Sequence, residues 1–330
     1  MVVNINQTGR KLPDFFIVGA PRSGTTTLYS CLSRHPRIFM PAEKEPTFFL
    51  AWGEPPFYKD SRFRRHVSHV IYQVDDYLRL FRAARESDII GEASALYLHG
   101  YRTVIPNIRR MFGYKSRGLK IIISLRNPVD RAWSHYCLKR SHLEEHLDFA
   151  EAIEPETIHG RRRHRLMPSF DYTGAGMYSD AVNAYLENFQ NVKILLLEDI
   201  AKDLDGTISA LCAYLGLETN GARAKTARWN ASGLPKNEGS RQLANFLFRS
   251  SVLKSVLKPL LPRRFRWRLK FSMGERLFSK QPLDGETRRK LLGFYRDDIL
   301  RLEKLIGRDL QHWLRTSGPQ AGTDRRPKGL

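Results

Sequence analysis

Phe15-Phe-Ile-Val-Gly19-Ala-Pro-Arg22-Ser-Gly24-Thr25-Thr26-Thr27-Leu28 is the stretch whose reading decides the fold. It opens as an apolar run short enough for a buried strand. A Gly/Pro-rich turn follows, and Leu28, Cys31 and Leu32 then fall on one side of a helix. Strand, glycine loop and helix start together build an anion cradle from backbone N–H groups and the positive end of the helix. The spacing Gly19-x4-Gly24-Thr25-Thr26 is that of a P-loop, with Thr25 where a nucleotide-hydrolysing loop carries lysine. The cationic Arg22 sits inside the loop instead. A phosphate-like anion is expected here, without the usual ATP machinery.

Outward from this loop, the helix from Thr25 runs to about Ser33 and stops at His35-Pro36, because the residue before proline resists helix. A short extended piece, Ile38-Phe39-Met40, leads into Pro41-Ala-Glu43-Lys44-Glu45-Pro46-Thr47-Phe48-Phe49. An acid between two prolines with aromatics behind it is either a surface charge or a carboxylate held rigidly over a site. From Phe57 to Arg85 the pattern is helical and basic, with Val74, Tyr77, Leu78 and Phe81 at helical spacing and a charge cluster at Arg62-Phe-Arg64-Arg65-His66. Ile89-Ile90-Gly91-Glu92 reads as a short strand, and a helix is expected near Pro106 to Phe112.

A second strong strand, Lys120–Leu125, ends in Arg126-Asn-Pro128-Val-Asp130-Arg131-Ala-Trp-Ser134-His135. Arg126 thus stands at the carboxyl end of a strand, where open α/β sheets bind ligands. Pro128 suits the first turn of a helix, and Ser134 follows Arg126 by about two helical turns. Glu144 to Ile153 reads as helix, and Arg161 to Arg165 as a basic run. A strand at Val192–Leu197 closes with Glu198-Asp199. Leu204 to Leu215 is an amphipathic helix with Gly216 as its C-cap. Three strands, each entering a helix, predict an α/β fold: a single P-loop-like domain with a central parallel sheet flanked by helices.

The net charge of +21 implies attraction to anions: nucleic acid, an acidic membrane surface, or a phosphorylated or polyanionic ligand. Its plainer reading is solubility. The three cysteines are widely spaced, with neither a CxxC pair nor metal-ligand spacing. Cys31 and Cys212 lie in apolar helical patterns, so buried free thiols and a reducing compartment are expected. Met1 to Leu12 is polar, and no apolar run reaches the ~18 residues that span a bilayer. A soluble cytoplasmic protein is the expectation.

The last third differs. Arg228-Trp229-Asn230 to Asn237 is a polar, turn-rich loop containing Lys236. Phe246 to Phe271 alternates apolar helical turns with Lys254, Lys258, Arg263, Arg264, Arg266, Arg268 and Lys270. Such a stretch packs on its own protein or lies on a polyanion or the inner membrane face. Asp284 is a good N-cap for a final helix with Leu291, Leu292, Tyr295, Ile299, Leu302 and Leu305 in one stripe. The Gly/Pro/Arg-rich tail, residues 315–330, is expected to be disordered.

Gly19-Ala-Pro-Arg22-Ser-Gly24-Thr25-Thr26, then Leu125-Arg126-Asn-Pro128…Arg131…Ser134, then Asn230-Ala-Ser232-Gly233-Leu-Pro235-Lys236-Asn237 occur in one order. Together they resemble the PAPS-dependent sulfotransferases, and most of all bacterial relatives of the heparan sulfate and other carbohydrate sulfotransferases. The resemblance implies one domain over residues 13–314, after an N-terminal segment of residues 1–12. It implies that 3′-phosphoadenosine-5′-phosphosulfate (PAPS) is the donor and 3′,5′-bisphosphoadenosine (PAP) the product, with no metal. It places the 5′-phosphosulfate on Arg22, Ser23, Gly24, Thr25, Thr26 and Thr27, the 3′-phosphate on Arg126 and Ser134, and a closing contact on Lys236. Lys44-Glu45-Pro-Thr-Phe48-Phe49 looks like the family stretch with the catalytic glutamate, which makes Glu45 the expected general base.

Arg22 departs from the heparan-type pattern, where lysine is common. It resembles the tyrosylprotein sulfotransferases and many bacterial members, keeps the charge and adds a bidentate fork. Its expected role is electrostatic stabilisation rather than proton donation. The paired cysteines and membrane anchor of the animal Golgi enzymes are not seen, which fits a bacterial, cytoplasmic enzyme. The acceptor is expected to be a carbohydrate or glycolipid hydroxyl or amine, with a small alcohol, a lipid or a tyrosyl group as alternatives. Glu92 is read as a structural or acceptor-side acid, and His135 and His142 as helix-surface histidines. Two rival readings stand beside this one. A P-loop kinase or NTPase would use Glu198-Asp199 on Mg²⁺. A polyanion- or membrane-binding protein would use segment 246–271. No specific nucleic acid partner is expected.

Overall fold

β1 (Phe15–Gly19) is buried at all five positions, and the rest of the sheet assembles around it. The computed structural model of the chain describes residues 11–54, 70–142, 144–163, 168–218, 234–235, 278–279 and 281–316. After β1 come α1 (Thr25–Leu32), β2 (Ile38–Phe39), α2 (Phe48–Ala51), α3 (Val74–Arg79), β3 (Ile89–Ala93) and α4 (Tyr101–Phe112). Then follow β4 (Lys120–Leu125), α5 (Pro128–Ser141), α6 (Phe149–Ala152), α7 (Pro155–Arg163), α8 (Ser179–Asn188) and β5 (Asn191–Leu196). The chain continues through α9 (Leu197–Lys202), α10 (Leu204–Leu215), β6 (Leu234–Pro235), β7 (Phe278–Ser279) and α11 (Gly285–Ile306).

The main sheet has the order β2-β3-β1-β4-β5, and every neighbouring pair is parallel. From β1 the chain builds β2 and β3 on one side, then crosses to add β4 and β5 on the other. The ends of β1 and β4 therefore form the switch point at which open α/β sheets hold ligands. Side chains alternate across the sheet. Phe16, Val18, Ile121 and Ile123 enter the core with α2, α4, α8 and α11. Phe15, Ile17 and Ile122 enter the second core, with α1 and α10. β6 and β7 pair antiparallel in a separate two-stranded ribbon.

This is the expected P-loop-like α/β architecture, and its local signals hold. Asn127 accepts from the N–H groups of Val129 and Asp130, with Pro128 in the first turn of α5. Asp284 caps α11 by accepting from Thr287 N–H, and Gly216 ends α10 in the left-handed region at φ 83°. Cys31, Cys137 and Cys212 are free and buried.

Other elements differ from the reading of the sequence. Residues 144–148 are not helical. Glu145 Oε1 accepts from the N–H groups of His146 and Leu147, which holds the chain open until Phe149 starts α6. α4 begins at Tyr101 and runs through Pro106, because Val104, Ile105, Ile108 and Met111 bury one face strongly enough to outweigh a lost backbone bond. Within 57–85, the described α-helix is Val74–Arg79. β5 stops at Leu196, and Glu198 and Asp199 open α9 instead of closing the strand. Lys236, segment 246–271, Arg62, Arg64, Arg65 and residues 317–330 lie outside the described residues.

Candidate active site

The loop between β1 and α1 hangs from β4. Ala20 N–H donates to Ser124 O at 2.6 Å, and Ser124 Oγ donates to Ser23 O. Gly24, at φ 87°, is the N-cap of α1, and no side chain caps the helix start. A Cβ at Gly24 would sit 3.0 Å from Leu197 Cδ1, so both the conformation and the space favour glycine. The result is a helix N-terminus turned to the switch point, with Ser23 and Thr25 buried beneath it.

Two arginines converge on this loop from adjacent strand ends. Arg22 Nε donates to Ser134 Oγ at 3.0 Å, and Arg126 Nη1 donates to Arg22 O at 3.3 Å. Arg126 is steadied in turn by Tyr178, whose hydroxyl donates to Arg126 O at 3.0 Å. Burial, then the neighbouring Arg126, pulls Arg22 down to about 10, which leaves it cationic at neutral pH. Burial also lowers Arg126, partly offset by Asp130. Arg22, Ser23, Gly24, Thr25, Arg126 and Ser134 are thus brought to one place. Thr26 and Thr27 follow in the first turn of α1, partly exposed.

Near them lies a third arginine, to which the sequence motif assigns no role. Arg131 is fully buried, donating through Nη2 to Tyr172 O and approaching His135 Nδ1 with Nη1 at 3.3 Å. A guanidinium only donates, so His135 Nδ1 accepts and its ring proton is on Nε2. Burial, and then Arg131, Lys139 and Arg22, hold His135 well below the usual histidine range, so it is neutral. This corrects the surface reading of His135, which is 4% exposed. Arg131 and His135 sit one helical turn apart on the inner face of α5, joined by that one hydrogen bond. His142 is on the surface as expected. The Cys137 thiol is pushed up to about 12 by burial, so it is no thiolate nucleophile.

Glu45 reaches the same side of the sheet. Its N–H donates to Ala93 O at 2.9 Å, at the carboxyl end of β3, and its carboxylate pairs with Lys44. It interacts electrostatically with Arg22, raising that guanidinium. Arg22, Glu45 and Thr47 are the non-glycine residues in the left-handed region among those described, at φ 70°, 62° and 52°. Such backbone is costly and persists where surrounding bonds impose it.

The cradle is suited to an anion by its own unfilled chemistry. Ser23 Oγ and Arg131 Nε are buried without a hydrogen-bond partner, beside two further cations and an uncapped helix start. Phosphate and sulfate oxygens are the acceptors such a set of donors would take.

Comparison with known proteins bears on the fold and the family. A sulfotransferase crystal structure from Alicyclobacillus acidocaldarius superposes with a TM-score of 0.66 at 29% identity, over 92% of this chain and 100% of that one. Bifunctional heparan sulfate N-deacetylase/N-sulfotransferase 4 of Mus musculus is 25% identical over 319 residues, 92% of this chain and 31% of that protein. Carbohydrate sulfotransferase 15 of Homo sapiens is 27% identical over 255 residues, 63% of this chain and 44% of that protein. The chain therefore spans about a third of the length of the heparan sulfate enzymes it matches. The sequence pattern of the sulfotransferase family covers residues 13–221, and the chain belongs to that family.

Proposed function

We propose that this chain transfers a sulfuryl group from PAPS to a carbohydrate hydroxyl or amine. The supporting observation is the convergence of Arg22, Arg126 and the uncapped start of α1 on one cradle, with Glu45 electrostatically coupled to Arg22. PAPS supplies the sulfuryl group, whose bond to a phosphate oxygen breaks as its bond to the acceptor atom forms. Ser23, Gly24, Thr25, Thr26 and Thr27 bind the 5′-phosphosulfate through the loop and first helical turn. Arg126 and Ser134 take the 3′-phosphate, and Lys236 adds a contact from outside the described residues. Arg22 stabilises the charge that develops on the leaving oxygen, the largest single contribution in most transfers of this kind.

Glu45 takes the acceptor's proton as attack proceeds. The glycan class follows the names of the relatives, two of which are a heparan sulfate N-sulfotransferase and a carbohydrate sulfotransferase. A thermal-shift titration tests the donor: PAP is expected to raise Tm in the absence of Mg²⁺. Stabilisation by MgATP alone would overturn the reading. Glu45→Gln tests the base and is expected to abolish transfer from PAPS to partly N-deacetylated heparosan, which offers both free amines and hydroxyls, while PAP still binds.

A further inference from the structure

Glu92 is the penultimate residue of β3, the strand beside β1, and the function proposed above leaves it unused. It is fully buried on β3, facing an aromatic core of Phe48, Phe49, Tyr77 and Tyr97. A bare carboxylate in such a place is expensive. Here it accepts from Tyr77 OH at 2.6 Å and from Ser94 Oγ at 2.7 Å.

Those bonds lead to the Glu45 loop. Ser94 Oγ, having given its one proton to Glu92, accepts from Thr47 N–H at 3.2 Å. Glu45 N–H is held by Ala93 O at 2.9 Å, between Glu92 and Ser94. Tyr97 OH accepts from Phe49 N–H at 3.2 Å. Three backbone N–H groups of the 45–49 segment are therefore anchored on the 93–97 segment. Two of the anchored residues, Glu45 and Thr47, are in left-handed backbone that needs such anchoring.

We propose that Glu92 is the positioning residue for Glu45, acting through Ser94 and Thr47 to fix the loop that carries the base. This rests on the reading of Glu45 as the base. In the carboxylate form Glu92 accepts from Ser94, which leaves a hydroxyl lone pair aimed at Thr47 N–H. Once protonated, Glu92 carries a proton of its own to place and no longer dictates the direction of the Ser94 hydroxyl. The titratable groups facing it are phenols: Tyr77 from α3, Tyr97 after β3 and Tyr185 from α8, all raised by burial and by Glu92 itself. Burial brings Glu92 up to about 7, within the working range of pH. The loop is thus tied to a group that titrates near neutrality.

The test uses Glu92→Gln and Ser94→Ala in the full chain, with Glu45→Gln in parallel. Sulfuryl transfer from PAPS to partly N-deacetylated heparosan and PAP affinity are measured from pH 5.5 to 8.5. A misplacement of about 1 Å costs about 100-fold in rate, so kcat is expected to fall between about 10- and 100-fold in both variants. PAP affinity is expected to stay within about twofold, because the cradle lies on β1 and β4. The wild-type fall in kcat below neutral pH is expected to be absent from Glu92→Gln. Wild-type kcat and pH profile in both variants, with Glu45→Gln inactive, overturn the positioning role alone. Wild-type turnover in Glu45→Gln overturns the base reading itself, and the positioning role with it.

Discussion

Arg22 Nε and Ser134 Oγ, 112 residues apart in the chain, are joined by a hydrogen bond of 3.0 Å. The bond ties the loop after β1 to the helix after β4, across the switch point of the sheet. It also means that the two halves proposed for the nucleotide, phosphosulfate and 3′-phosphate, are not independent. Ser134→Ala should therefore act on both. PAP affinity should fall about tenfold, in line with a lost hydrogen bond to a charged group, and kcat should fall with it as Arg22 loses its tether. Isothermal titration with PAP, beside steady-state kinetics, checks this. A change in affinity with unaltered kcat would show that Arg22 keeps its place without Ser134.

Arg126→Ala should weaken PAP binding before it affects turnover. Arg126 Nη1 donates to Arg22 O, so the substitution removes a cation and loosens the loop without touching the Glu45 side. A loss of about 10- to 100-fold in PAP affinity is expected, with kcat at saturating donor reduced less. Equal losses in both would place Arg126 in the transfer step itself.

Arg22→Lys separates charge from shape. Lysine keeps the cation that the heparan-type pattern carries but lacks the Nε donor that meets Ser134. Turnover should survive, lowered about tenfold, whereas Arg22→Ala should lose about 100- to 1,000-fold in kcat, as when a preorganised donor is removed from a developing oxyanion. Rates for the pair, measured with one acceptor, decide it. Equal rates in the two variants would remove charge as the reason for Arg22.

Much of this site is legible in the sequence because its signals are local. The Gly19–Thr27 loop and Arg126 after a β-rich run each declare a strand end. Asn127-Pro128 marks a helix start within two residues. Contacts made by distant residues are not declared in this way. Nothing near Ser134 in the chain names Arg22 as its partner. The inner face of α5 misleads for a related reason. Arg131, His135 and Lys139 are buried there alongside Val129, Ala132 and Tyr136, so hydrophobic contrast around the helix is low. Polar residues read as surface until their partners, Tyr172 O for Arg131 and Glu144 for Lys139, are brought up by the fold. Glu92 is hidden likewise, since its partner Tyr77 comes from α3.

The two buried titrating groups pull stability in opposite directions with pH, and that can be measured. Glu92 rises from 4.5 to about 7 on folding. Between those values the native state holds a proton that the unfolded chain has released, so stability falls as pH rises. The full penalty, about 3 kcal/mol, is present above pH 7. His135 is held well below its ordinary 6.5. Below pH 6.5 the unfolded chain binds a proton that the native state refuses, so stability falls as pH drops. The two slopes oppose each other between about pH 5 and 6.5, each up to about 1.4 kcal/mol per pH unit. Glu92→Gln removes one of them. Relative to wild type it should be more stable at pH 8, and this advantage should shrink as pH falls towards 5. His135→Gln, whose amide oxygen can accept from Arg131, should behave oppositely, gaining on wild type as pH falls. Urea unfolding of the three proteins at pH 5, 6.5 and 8 reads both differences. A Glu92→Gln variant that is more stable at pH 8 yet slower in sulfuryl transfer would mark Glu92 as an acid that costs stability and serves the site. A pH-independent difference between wild type and Glu92→Gln would show that Glu92 does not titrate in this range.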